Sequence, residues 1–143
     1  MREILYRAKA INRDNGYYRT SYKNGDWVYG LLTRLYDERF EAVPAEMKNT
    51  NGVSGIEVDY KTIGQYIGAN DKNHKDIFEG DIVKSCDNHI YRIKWDNQRA
   101  MFYLRNDITH ASADFYHYFA SDLEIIGNIT DNPELLKGGE SND

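Results

Sequence analysis

Apolar and polar side chains alternate with a period of two along most of this sequence, and almost nowhere with the 3.6-residue period of a helix. Ile4, Tyr6, Ala8 and Ala10 fall on one face of the first segment, and Arg7 and Lys9 on the other. Asn24-Gly25, a dipeptide that tolerates positive φ, turns the chain into a second strand over 27–32. Gly30 inside that strand marks a bulge or the close approach of another backbone. Ile56 and Val58 alternate with Glu57 and Asp59, and a strand follows over 63–68. Residues 76–84 read as a turn entering a strand. Alternation over 89–95, a turn at 96–99 and a strand over 100–104 make a hairpin. Two more strands are expected, an aromatic one over 115–119 and a final one over 123–129. A third strand in the N-terminal half is expected around 40–43, with a short helix possible over 34–40. Residues 44–55 and 106–113 read as polar loops, and Asn15-Gly16 as a further turn.

About ten short strands make an all-β chain, and 12 Tyr, 5 Phe and 2 Trp suit such a pleated, half-buried surface. Closure into small barrels removes exposed edges, so a barrel is the expected architecture. Residues 80–84 and 91–96 resemble the opening hairpin of an SH3-like barrel, placed at 69–130. Residues 1–68 then form an N-terminal β subdomain of the same unit. Asn132 as cap with Pro133 in the first helical position begins one helical turn, followed by a disordered acidic tail, 131–143 in all.

The 143 residues carry 18 Lys+Arg against 23 Asp+Glu, a net −5. Asp131 to Asp143 holds four acids and one lysine, so the rest is close to neutral. This is not the basic footprint of a protein held to DNA mainly by its phosphates. No run approaches the roughly 20 apolar residues of a membrane helix, and the N-terminus lacks a signal-peptide pattern. With Cys86 the lone cysteine, no intrachain disulfide forms and the expected compartment is the cytoplasm.

Residues that could carry chemistry are few. Cys86 and His89 make a Cys-x-x-His pair with no second pair at zinc spacing. His110 and His117 flank Asp114. Asp71, Asn73 and Asp76 lack the glycine and glutamate of a calcium loop. Asp76, Glu79 and Asp81 have no accompanying base, nucleophile or phosphate loop, and suit turns and caps. No catalytic, cofactor or metal residues are assigned, and no enzyme activity is expected. Aromatics beside cations are a stronger signal, because stacking plus phosphate contact is how single-stranded nucleic acid is held. Tyr17, Tyr18, Arg19, Tyr22 and Lys23 lie together between two Asn-Gly turns, and Arg92 and Lys94 lie on the expected hairpin; these seven form the candidate nucleic-acid or partner surface.

Several blocks together resemble the phage YopX family: 2–8, Trp27-Val28-Tyr29-Gly30, 62–68, the long run 71–83, and 125–129 with 131–136. The resemblance implies a phage or prophage protein of small, mostly β architecture, in the cytoplasm of a bacterial host. It implies no activity, since the family is uncharacterised. Its members usually carry Gly where this chain has His74, so Asn73 is expected to take the left-handed conformation instead. The expected function is a non-enzymatic accessory role through binding a phage or host macromolecule or through self-assembly into a homo-oligomer. The alternative is a nucleic-acid-binding β-barrel in phage replication or regulation. A third reading makes the protein an acidic inhibitor of a host protein.

Overall fold

The computed structural model describes residues 3–12, 22–35 and 44–137. The chain divides into two units, Met1–Gln65 and Tyr66–Asp143. It is all-β: eleven strands and three single turns of 3-10 helix among the described residues.

In the first unit β1 (Tyr6–Lys9) pairs antiparallel with β2 (Trp27–Arg34), which pairs with β3 (Ala45–Asn49), which pairs with β4 (Ile56–Val58). On the other side of β1, Gly64 and Gln65 open β5 (Gly64–Asn70). One face of the sheet buries Ala8, Val28, Ala45, Met47, Ile56 and Val58, with Ala10 joining them through a bridge to Val58. Three of these seven are alanines, and at Gly30 two backbones come close. A Cβ on Gly30 would sit 2.0 Å from the Lys48 carbonyl oxygen, so the close approach expected at Gly30 is present. The Asn24-Gly25 turn also forms, with Gly25 at φ +91.

Residues 44–55 are not a loop throughout. Ala45, Met47 and Asn49 point inward and Glu46 and Lys48 outward, which makes β3. The segment has the right alternation but weak β-formers, and pairing on both sides overrides propensity. The Asn15-Gly16 turn lies outside the described residues, as do residues 36–43 of the strand expected around 40–43 and of the helix expected over 34–40; Arg34, where that helix was to begin, ends β2 instead.

In the second unit β5 continues and pairs with β6 (Asp76–Phe78). A five-stranded antiparallel sheet follows: β7 (Asp81–Lys84), β8 (Ile90–Asp96), β9 (Met101–Arg105), β10 (Ser112–Ala113) and β11 (Glu124–Asn128), in the order β10-β9-β8-β7-β11. Its core is Ile77, Val83, Tyr91, Ile93, Leu104, Tyr118 and Leu123, all larger than the alanines of the first unit. Each such aliphatic side chain contributes about 1.5–3 kcal/mol on burial.

The expected closed barrel does not form among the described residues. β10 and β11 stand at opposite ends of the order, and a two-residue β10 is too short for a closing ladder. The aromatic segment 115–119 is a turn rather than a strand. Asp114 Oδ1 accepts from Tyr116 and His117 N–H, which coils the backbone while Tyr118 drops into the core. Asn132 does not cap the 3-10 turn Pro133–Leu136; its Oδ1 accepts instead from the Asn128 N–H. At the 71–75 turn it is His74, not Asn73, that takes the left-handed conformation, at φ +64. Among the described residues no helix is long and apolar enough to cross a membrane.

Two carboxylates hold the second unit's turns. Asp81, 1 % exposed, accepts from the Phe78 N–H at 2.8 Å across Gly80. Asp71, 2 % exposed, accepts from Asn73 and Lys75 N–H within its turn and from Ile125 N–H 54 residues away. Burial works to raise the Asp71 pKa, but the three backbone N–H groups and Lys75 together hold it below 3.8.

Candidate functional site

Strand pairing sorts the second unit's side chains onto two faces, because cross-strand partners share a face and neighbours along a strand alternate. Tyr91 and Ile93 of β8 face the core with Leu104 of β9. Arg92, Lys94 and Asp96 therefore face outward with their partners Arg105, Tyr103 and Met101, and Ser112 of β10 continues the Arg105 row. Part of this outer face is covered. The 3-10 turn Pro133–Leu136 lies so close over Gly127 that a Cβ there would sit 2.9 Å from Leu135 Cδ1, and Ile82, on the Arg92 side, is fully buried. That turn also contacts β8, and toward β9 and β10 the face is partly exposed.

There a cleft of 270 Å³ is lined by Asp96, Arg99, Met101, Tyr103, Ser112, Ala113 and Asp114. Its acids are engaged at its ends: Asp96 accepts from Gln98 and Arg99 N–H, and Asp114 from Tyr116 and His117 N–H. Beside the cleft, Arg92 Nε lies 3.1 Å and Arg105 Nε 3.6 Å from Asp107 Oδ1. Asn106, buried in the loop after β9, shapes this arrangement by accepting from Ile108 and Thr109 N–H. Arg105 also reaches His110 Nδ1 at 3.1 Å.

Of the seven surface residues expected from sequence, Tyr22 and Lys23 are described in the first unit and Arg92 and Lys94 in the second. Arg92 and Lys94 lie on this face, partly exposed. Tyr22 packs against the first unit's core, and its hydroxyl accepts from Asn49 Nδ2 at 3.2 Å. Lys23 is exposed in the Asn24-Gly25 turn, its N–H donating to Asp26. Tyr17, Tyr18 and Arg19 lie outside the described residues. Sequence reasoning missed Tyr103, Arg99 and Arg105, although alternation in 100–104 opposite 91–96 pointed to Tyr103. It also missed an aromatic that meets two cations: Trp27 has Arg7 Cζ at 4.7 Å and Lys9 Nζ at 4.5 Å from its ring centroid.

The other candidates are locally engaged. The buried Ser85 hydroxyl contacts Asp87 and accepts from His89 N–H in the β7–β8 turn. Asp87 also accepts from the Tyr118 hydroxyl at 3.0 Å and lies 3.7 Å from His89 Nε2. Ser85 above all, then Tyr118 and His89, hold the Asp87 carboxyl below its ordinary pKa against the opposing effect of burial. Tyr91, burial and Asp87 push the Tyr118 phenol well above its own. Cys86 is exposed in that turn. His117 stacks edge-on against Tyr118 while His110 meets Arg105, so the two imidazoles serve separate contacts. Among the described residues no three His, Cys, Asp or Glu side chains converge as metal ligands.

Comparison with solved structures shows a similar fold in the crystal structure of protein EF1440 from Enterococcus faecalis, at 22% identity and a TM-score of 0.52, covering 96% of this chain and 100% of that one. No curated protein matches the chain. Residues 7–137 match the YopX protein family, and that match spans every strand but the first residue of β1. The chain therefore belongs to the YopX family.

Proposed function

We propose that this protein is a non-catalytic binding module, a phage or prophage accessory protein of the bacterial cytoplasm, whose partner is a phage or host macromolecule. The observation that carries this reading is the outer face of β8–β9, where Arg92, Lys94, Tyr103 and Arg105 share one side of the sheet beside the cleft. Cations around a partly exposed aromatic suit an anionic or aromatic-bearing surface. The Ser85–Asp87–His89 grouping supports a structural role for that turn, because the serine hydroxyl contacts the carboxylate and not the imidazole that a nucleophile would need. The strand order β11-β7-β8-β9-β10, with a 3-10 turn before the last strand, supports reading this sheet as an SH3-like roll left open. It supports a contact module at the level of fold alone.

The test is affinity capture with the tagged chain and its Lys94→Glu/Tyr103→Ala variant, with partners identified by mass spectrometry. A partner held by the parent and lost from the folded variant supports the face. Equal retention overturns it. Self-assembly is the version in which the partner is a second copy, and sedimentation of both proteins reads it directly.

The alternative is nucleic-acid binding, favoured by the outward cations on β8 and β9. Fluorescence titration with labelled single- and double-stranded DNA and RNA at low salt decides it, since phosphate contacts are strongest there.

A further inference from the structure

Arg92 and Arg105 are cross-strand partners on one face of β8–β9, an arrangement in which like charges repel. What lies between them is a single oxygen, Asp107 Oδ1, at 3.1 Å from one Nε and 3.6 Å from the other. Arg92 Nε and Asp107 Oδ1 are both shut off from solvent, yet neither is in an aligned hydrogen bond. One carboxylate charge thus faces two guanidinium charges, each guanidinium with five N–H donors in a planar fork. A phosphate dianion matches such a pair better on both counts: two charges, and enough oxygens for both forks. Lys94 stands next to Arg92 on the same face, and Ser112 is paired with Arg105, so the surroundings add a cation and a hydroxyl.

We propose that Arg92 and Arg105 form a binding site for a phosphate dianion, of the phosphomonoester class, and that Asp107 is the internal counter-ion the ligand displaces. The proposal rests on the reading of this face as the partner surface and names the chemistry recognised there. Asp107 belongs to the loop whose backbone Asn106 holds, so rotation of its side chain opens the site without remaking the strands.

The experiment is an amide NMR titration of the full chain with inorganic phosphate, against sodium chloride at matched ionic strength. It is run on the parent, Asp107→Asn, Arg92→Gln and Arg105→Gln, each first shown to be folded by its spectrum. The expected result is saturable shifts confined to β8, β9 and the 106–111 loop, about tenfold tighter in Asp107→Asn and lost in both glutamine variants. A second arm uses an unphosphorylated-end oligonucleotide, which offers only phosphodiesters. Binding of phosphate but not of this strand supports a monoester site. Binding of the strand alone overturns it. The proposal also fails if Asp107→Asn binds phosphate no better than the parent, or if shifts scatter over unrelated basic residues. Partner capture that depends on Lys94 and Tyr103 while phosphate does not bind would remove this inference and leave the binding-module reading intact.

Discussion

The two units are both antiparallel β, but they are held together differently. The first buries Ala8, Ala10, Val28 and Ala45 around Met47, and brings its backbones together tightly enough that Gly30 cannot carry a side chain. The second fills its core with Ile77, Ile93, Leu104, Leu123 and two tyrosines, and fixes its turns with the buried carboxylates of Asp71 and Asp81. Small side chains gain stability through close strand contact, and large ones through the area they bury. The first arrangement is therefore sensitive to added atoms and the second to removed ones.

That contrast can be broken in order of expected effect. Gly30→Ala puts a methyl 2.0 Å from the Lys48 carbonyl and 2.8 Å from Asn49 Cα, both backbone atoms that cannot yield. A loss of about 4 kcal/mol or more is expected in urea unfolding, at the exceptional end for one substitution. A near-neutral result would show that β2 and β3 part easily. Leu104→Ala in the second unit leaves a cavity under a fully buried residue and is expected to cost about 3–4 kcal/mol by the same measurement.

Asp71→Asn is expected to cost about 2 kcal/mol at neutral pH, because one of the two accepting oxygens becomes an NH2 group that cannot accept, leaving either the Ile125 N–H or the Asn73 and Lys75 N–H groups without it. It carries a pH signature too. The Asp71 pKa is lowered in the folded chain, so its contribution is present above the unfolded value near 3.8 and is lost as pH falls through the folded value. Urea midpoints followed from neutral pH down to about 2 should fall less steeply below about pH 4 in the variant than in the parent. Parallel curves would remove Asp71 from the acid response. The smallest effect is expected for Tyr22→Phe, which deletes the hydroxyl accepting from Asn49 and should cost about 1 kcal/mol. An unchanged midpoint would mean that Tyr22 acts through its ring alone.

The same division explains what could be read in advance. In the second unit the turn at Asp96, the alternation of β8 and the role of Asp81 were all visible, because each depends on residues within a few positions of one another. β3 was missed because Ala45-Glu46-Met47-Lys48-Asn49 alternates correctly in letters that rarely make strands alone. The aromatic run 115–119 misled in the opposite sense: strong β-formers were coiled by the Asp114 side chain. For the candidate surface, Arg92 and Lys94 were legible from alternation on one strand. Their company was not, because Arg105 and Tyr103 join them only through the register of β8 with β9.

From its residues alone this chain was bound to be all-β, with turns at Asn24-Gly25 and Gly80-Asp81 and membership of its family written in ordered blocks. Those features are local: a backbone that must bend at positive φ selects its residues, and a pleated strand exposes every second side chain. Only the tertiary structure decided that the second unit's sheet stays open among the described residues, that Asp71 reaches Ile125, and that two arginines share one carboxylate. These depend on which strand lies beside which. That choice is made by summed burial and pairing across the whole chain, and no short stretch of sequence carries it.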